Sequence, residues 1–331
     1  MNVLSLFDGM SCGRIALERA EIEVDNYYSS EIDKYAIKVA DKNYPQDTKN
    51  RLGDVTKWQD WNIDWSSIDL VTSGFPCQAW SVAGKQLGDK DERGMLFWTM
   101  LDIIKKVLEH NPKAKFLIEN VKMKKEFEEY ITLHTTQTLG TVYKYLINSA
   151  LVSAQNRERY YWTNIEGITQ PEDKELVLKD ILEDGVVDRD KSHCLDANYF
   201  KGGNLKSYFE KHRRQLVFSK DGLCHCGDAD LNGNDSIKRV YHPKGKCPTL
   251  TTMGGGHREP KILINTTKYR KLTPLECERL QTVPDNYTEG VSNSQRYKML
   301  GNGWTVDVIA HIFKGINETQ EMQKLLENVS A

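Results

Sequence analysis

Asn2-Val3-Leu4-Ser5-Leu6-Phe7-Asp8-Gly9-Met10-Ser11-Cys12-Gly13, with the helix-like stretch Arg14 to Ala20 behind it, reads as strand, tight turn and helix. A short apolar run stops at small residues, and an apolar pattern of helical period resumes after them. The arrangement recurs. Val24 to Ser29 reads as a strand and Glu31 to Asn43 as a helix. Asp69 to Ser73 reads as a third strand, Leu96 to Leu108 as a helix and Lys115 to Ile118 as a fourth strand. Phe127 to Tyr130 falls in another helix, and Val142 to Ala150 and Tyr160 to Asn164 read as later strands. Strands alternating with helices predict an α/β fold with a doubly wound, mainly parallel sheet. Its ligands should lie at the carboxyl ends of the strands.

The character changes after about residue 166. Glu172 to Asp190 is strongly acidic, whereas Lys238 to Lys271 is basic, with Glu259 its one acid. Glycines at Gly202-Gly203, Gly233 and Gly254-Gly255-Gly256 interrupt this region and suit a loop-rich lobe. Thr273-Pro274-Leu275-Glu276 has the spacing of a capping box at a helix start. From Gly301 to Ile316 the apolar, helix-rich style of the first lobe returns. The expected organisation is a first lobe over 1–165, a smaller lobe inserted over 166–297, and a segment 298–331 that completes the first.

Bulk properties narrow the functional classes. The chain of 331 residues, 39% of them hydrophobic, can build one substantial core plus a second lobe. Its net charge of −2 carries no overall basic excess, so any nucleic-acid surface must be local. Seven cysteines, an odd number in a chain far larger than disulfide-stapled domains, point to a reducing compartment and a cytoplasmic location. Met1 to Asp8 lacks a basic stretch followed by a long apolar one, and no apolar run reaches membrane-spanning length. We expect neither export nor a membrane.

The chemistry-bearing residues fall at strand ends. Phe7 to Gly13 can admit a ligand against backbone N–H groups, and it can equally be a turn that serves only the fold. Glu31 and Asp54 follow the next strand ends: an acid after the second strand suits ribose hydroxyls, and one after the third suits an adenine amino group. Singly, each is as well explained as a helix cap. Gly74-Phe75-Pro76-Cys77-Gln78 places a thiol, stiffened by proline, beside that cleft, where it can ionise and act as a nucleophile. Glu119 ends another strand, and Gln155-Asn156-Arg157-Glu158-Arg159 puts two arginines on one face. Together these supply a nucleophile, an acid able to bond a ring nitrogen, and cations able to hold a ring carbonyl and stabilise a thiolate.

Gly74 to Gln78, Glu119-Asn120-Val121, Gln155 to Arg159 and Gly301-Asn302-Gly303 occur in the order and approximate spacing of the cytosine-C5 DNA methyltransferase family. The resemblance runs from Phe7 to about Phe313, and in its shortness the chain is similar to the compact bacterial and phage members. It implies a class I, Rossmann-like fold and S-adenosyl-L-methionine as cofactor, with double-stranded DNA as partner and a monomer as the working form. A cognate restriction endonuclease is compatible with it. The cofactor site it implies comprises Phe7, Asp8, Gly9, Met10, Ser11, Cys12, Glu31, Ile32, Asp54, Val55, Pro76, Leu96, Asn302 and Trp304. Asp8 stands where many relatives carry a small residue, and Ile32 where an aromatic often meets adenine.

The catalytic set implied is Cys77, Glu119, Arg157 and Arg159. Cys77 adds to C6 of a flipped-out cytosine, Glu119 acts at N3, Arg159 binds O2 and Arg157 supports the thiolate. Flipping costs roughly a few kcal/mol, offset by a loop over Gln78 to Gly94 that closes on the base and brings Gln78 and Ser81 to the DNA. Residues 166–297 match the target-recognition lobe and its supporting Arg279-Leu280-Gln281 helix. Ser236, Arg239, Thr249, Thr251, Gly254, Gly255 and Gly256 are its expected DNA contacts, with Arg239 reading a base edge. Three rival readings stand beside this one: an RNA methyltransferase on the same scaffold, a relative that kept the fold and lost the chemistry, and a zinc site at Cys224-His225-Cys226 with His242 and Cys247. The last has an unusual one-residue cysteine gap, and no metal is expected.

Overall fold

The computed structural model describes residues 1–76, 92–218, 225–228, 239–241, 261–262 and 269–316. The opening stretch forms strand β1 (Asn2–Leu6) and helix α1 (Cys12–Arg19), as its pattern requires. Strand β2 (Asn26–Ser30) leads to α2 (Lys34–Asn43), and β3 (Leu70–Ser73) is followed by α3 (Glu92–His110) and β4 (Lys115–Val121). Helix α4 (Lys125–Leu139), β5 (Tyr143–Asn148) and β6 (Glu158–Thr163) complete the main sheet and its helices.

Among the described residues the main sheet has the order β2-β1-β3-β4-β6-β5. Strands β2, β1, β3 and β4 run parallel, and β6 runs antiparallel to both β4 and β5. The order turns back between β1 and β3, where a crevice opens at the carboxyl edge. Strand alternation divides the core in two. Val3, Leu70, Leu117 and Tyr161 face one apolar layer, which also holds Ile15 and Ala16 of α1 and Val39 of α2. Leu4, Leu6, Val71, Phe116, Ile118 and Trp162 face the other, against Phe97, Met100 and Ile104 of α3 and Ile131 of α4. Each such side chain contributes roughly 1.5–3 kcal/mol by leaving water, so helices are held on both faces.

Two departures from the sequence pattern have clear local reasons. The second helix starts at Lys34, not Glu31, because Asp33 caps it by accepting from Tyr35 N at 3.0 Å, while the Glu31 carboxylate takes the amides of Ile32 and Asp33. Between α2 and β3, where no element was expected, short 3₁₀ turns occupy Pro45–Asn50, Val55–Asp60 and Trp65–Ser67. Asp54 and Asp64 cap the last two of these turns, so Asp54 stands before β3 and not after a third strand as expected from the sequence.

Between residues 166 and 271 the described elements are short. The strand His225–Asp228 pairs with Arg239–Tyr241, which pairs in turn with Lys261–Ile262, and Leu216–Phe218 pairs with Tyr269–Lys271. The capping box forms as its spacing requires: Thr273 Oγ1 accepts from Glu276 N at 3.1 Å, and Glu276 Oε2 accepts from Thr273 N at 2.8 Å. Leu178, Leu195, Tyr199 and Val217 share the apolar layer of Val3 and Ile15, as do Val308, Ile309 and Phe313 of the helix at 306–316. No helix among the described residues is long and apolar enough to cross a membrane.

Candidate active site

The turn after β1 is wound tightly. Phe7, Gly9 and Ser11 all have left-handed backbone, at φ 55°, 59° and 64°, a conformation costly for a bulky residue such as Phe7. A buried polar peg holds it there. The Asp8 carboxylate accepts from Ser5 Oγ at 2.7 Å, Ser11 Oγ at 2.6 Å and the Tyr27 hydroxyl at 2.6 Å, with Arg51 Nη1 at 3.6 Å. Burial first, and then the Asp8 charge, push the Tyr27 phenol well above its ordinary value, so Tyr27 stays a donor. Glu31 fastens the outer side: Oε2 accepts from Gly9 N at 2.8 Å, and Oε1 from Ile32 N and Asp33 N at 2.7 Å each. With about two lone-pair directions per oxygen, Oε2 keeps one direction for a further donor.

A cavity of about 500 Å³ opens at this edge. Of the residues expected at the cofactor, Phe7, Asp8, Gly9, Met10, Cys12, Glu31, Ile32, Asp54, Val55, Pro76, Leu96, Asn302 and Trp304 line it. Ser11 lies outside the lining, its hydroxyl committed to Asp8. Ile32 is 75% exposed, an apolar side chain presented to whatever fills the space. Asp54 Oδ1 accepts from Thr56 N at 2.9 Å and Thr56 Oγ1 at 2.8 Å, bonds that hold its carboxyl below the usual range. Burial pushes the Cys12 thiol up to about 12, which makes it a packing group rather than a nucleophile.

The far wall comes from β3, β4 and β6. Gly74, Phe75 and Pro76 leave the end of β3 on a fixed path. Trp304 lies so close over Gly74 that a Cβ there would come within 2.9 Å of its indole nitrogen. Phe75 is buried against Phe97 with ring centroids 5.3 Å apart, and its carbonyl accepts from Asn120 Nδ2 at 3.2 Å. Cys77, Gln78 and Ser81 lie outside the described residues.

Because β6 runs against β4, its entry end lies beside the carboxyl end of β4, and Arg159 pairs in register with Val121. Arg159 and Glu119 therefore share a face, and Arg159 Nε meets Glu119 Oε1 at 3.0 Å with both side chains nearly buried. Arg157 is 3% exposed and works as a brace. Its Nη1 donates to Leu195 O at 3.1 Å, and its Nη2 to Gly301 O at 3.3 Å and Gly303 O at 2.9 Å. Glu119, Arg157 and Arg159 all line the cavity.

Some residues support the site from behind. Gln155, wholly buried, accepts Leu195 N at 3.1 Å and donates to Leu280 O at 2.9 Å, so one amide ties three segments. Asn120, Gln155 and Cys194 act through tertiary contacts. The first two stand inside recognised motifs, and Cys194 had no local signal. Ser236, Thr249, Thr251, Gly254, Gly255 and Gly256 lie outside the described residues, as do Cys224, His242 and Cys247. Arg239 opens a short strand, and its side chain is outside the described atoms.

Doubly wound α/β enzymes work at the carboxyl edge of the sheet, beside the point where the strand order turns back. The cavity and its carboxylate–guanidinium pair place this chain among them. The profile of the family described as C-5 cytosine-specific DNA methylase matches residues 1–318, and the chain belongs to that family. Its activity is that of a DNA (cytosine-5)-methyltransferase. It is 31% identical to the type II methyltransferase M.HhaI of Haemophilus parahaemolyticus, over 96% of this chain and 95% of that one. It is 29% identical to the orphan methyltransferase M.SPBetaI of Bacillus phage SPbeta, over 96% and 98%. The methyltransferase EhMeth of Entamoeba histolytica superposes with a TM-score of 0.63 at 16% identity, covering 97% of this chain and 98% of its own. A putative DNA modification methyltransferase encoded within an Escherichia coli prophage superposes at 0.54 with 19% identity, covering 96% and 99%.

Proposed function

We propose that the chain flips a cytosine out of duplex DNA, activates it covalently through Cys77 and methylates C5 from S-adenosyl-L-methionine in the cavity at the sheet's carboxyl edge. The observation that carries this reading is the Glu119–Arg159 pair, 3.0 Å apart on the wall of the cavity that the Phe7–Cys12 turn also lines. C5 of cytosine is too weak a nucleophile to take a methyl group unaided. A thiolate adding to C6 makes C5 enamine-like, and a thiolate is also a workable leaving group.

The cofactor, when bound, supplies an electrophilic methyl on a sulfonium. The donor set fits it: a volume of about 500 Å³, the remaining lone-pair direction on Glu31 for a ribose hydroxyl, and exposed Ile32 for the adenine face. Glu119 would bond N3 of the base, Arg159 its O2, and Arg157 would act through charge while bracing the backbone. The segment 166–297 would serve as the target-recognition lobe, and the enzyme would work in the cytoplasm as a monomer. Bisulfite sequencing of DNA from cells expressing the protein tests the reading, with protected cytosines expected in one short motif. Methyl incorporation into transfer RNA but not into duplex DNA overturns it.

Glu31→Ala and Asp54→Ala are expected to weaken cofactor binding by roughly 1.5–3 kcal/mol each and to leave DNA affinity nearly unchanged. Calorimetric titration of both variants checks this, and unchanged cofactor affinity in both would leave the acids as caps only. For the recognition lobe, Arg239→Ala should cost roughly 1–3 kcal/mol on the cognate site and relax selectivity at one base position. A library of randomised sites assayed at two salt concentrations decides: a uniform loss with unchanged motif would mean a phosphate contact instead.

A further inference from the structure

Cys194 is a second thiol at this site, brought there by the chain beyond the first lobe. Ser192 N donates to Ala154 O at 2.7 Å, Asn156 N to Ser192 O at 3.0 Å, and Leu195 N to the buried Gln155 side chain at 3.1 Å. These bonds lay Ser192 to Leu195 along the residues that lead into β6. The Cys194 sulfur then falls between two guanidinium groups, 3.3 Å from Arg157 Nη1 and 3.7 Å from Arg159 Nη2. Arg159 is thereby held from three sides, by Glu119 at Nε, the Glu158 carbonyl at Nη1 and Cys194 at Nη2.

We infer that Cys194 is a positioning residue, whose sulfur accepts from both guanidinium groups and fixes the face that Arg159 presents to the cytosine ring. This rests on the reading of Arg159 as a base-holding group. The contacts have a chemical logic, because sulfur is a weak acceptor when protonated and a charged one as thiolate. Burial would push the Cys194 thiol up, but the charge of Arg157 and then of Arg159 outweighs it, and the pKa settles below the ordinary thiol value. Cys12, which lines the cavity, goes the opposite way, because its burial outweighs the lowering by the Trp304 backbone and by the charges of Arg157 and Arg19. The segment carrying Cys194 also carries the carbonyl of Leu195 that Arg157 binds, so one short strip of chain orients both arginines.

The test compares wild type, Cys194→Ala and Cys194→Ser in single-turnover trapping on duplex DNA containing 5-fluorocytosine, with cofactor KM measured alongside. Alanine removes the acceptor and should slow adduct formation by about tenfold, with the cofactor KM unchanged within about twofold. Serine restores a hydroxyl acceptor of similar size and should recover a substantial part of the rate. Equal trapping rates in all three proteins overturn the inference, as does a Cys194→Ala defect that appears only as raised cofactor KM. If wild type forms no adduct while still methylating DNA, the covalent reading itself has failed. If alanine prevents folding, iodoacetamide labelling of wild type near neutral pH decides. Cys194 should then react faster than Cys12 or Cys277 and be protected by bound DNA, and slow, unprotected labelling overturns the assignment.

Discussion

Cys77→Ala is expected to abolish methyl transfer, by on the order of 10³-fold or more, with the affinity for S-adenosyl-L-methionine essentially retained. The reasoning starts from the residues that precede it. Phe75 is locked in the core, its carbonyl is held by Asn120, and Pro76 lines the cavity with Glu119 and Arg159. Pro76, the last described residue before position 77, thus stands on the same cavity wall as Glu119 and Arg159, whereas the Glu31 and Ile32 side of the cavity belongs to a different strand end. Removing the thiol should leave that second side intact. In the wild type, DNA carrying 5-fluorocytosine should become covalently trapped, because fluorine at C5 cannot leave as the proton does. A Cys77→Ala protein that still methylates, or an active wild type that never forms an adduct, would refute covalent activation.

Gly301→Ala should lower stability by about 3 kcal/mol and remove most activity with it. A Cβ at this position would sit 2.3 Å from the carbonyl carbon of Asp196 and 2.5 Å from the amide nitrogen of Ala197. Both neighbours are backbone, so no side-chain rotation relieves the clash, and the helix Asn293–Asn302 would have to move away from the chain at Asp196 to Tyr199. Moving it pulls the Gly301 and Gly303 carbonyls off Arg157 and shifts Asn302 and Trp304 at the cavity wall. Urea unfolding with a methylation assay checks this. Unchanged midpoint and activity would mean that the contact relaxes without consequence.

Local pattern carried the sheet lobe because its information is local. Apolar alternation separates Val3 from Leu4 and Leu117 from Phe116, and each goes to the layer its parity dictates. The capping box at Thr273 and Glu276 is legible for the same reason: both halves lie within one turn. Direction is not legible this way, since the alternation of β6 reads identically forwards or backwards. Its antiparallel course, which brings Arg159 to Glu119, depends on how the chain returns from β5. Asp8 shows the same limit from another side. Next to Gly9 it reads as a ligand-facing residue, yet its carboxylate is spent on Ser5, Ser11 and Tyr27, a strand partner remote in sequence. Arg157 reads as a free cation, and only the fold shows that its terminal nitrogens are occupied by main-chain carbonyls.

Arg157 grips carbonyls at Leu195, Gly301 and Gly303, so a single guanidinium gathers parts of the chain that leave the ribosome at widely separated times. A nascent chain that has extruded Arg157 and Leu195 but not yet Gly301 to Gly303 holds this charge with two of its carbonyl partners missing. The cavity lacks one wall until Trp304 has emerged and packed over Gly74. Until then a chain under synthesis lacks the wall that Asn302 and Trp304 give the cavity and two of the three carbonyls that hold Arg157.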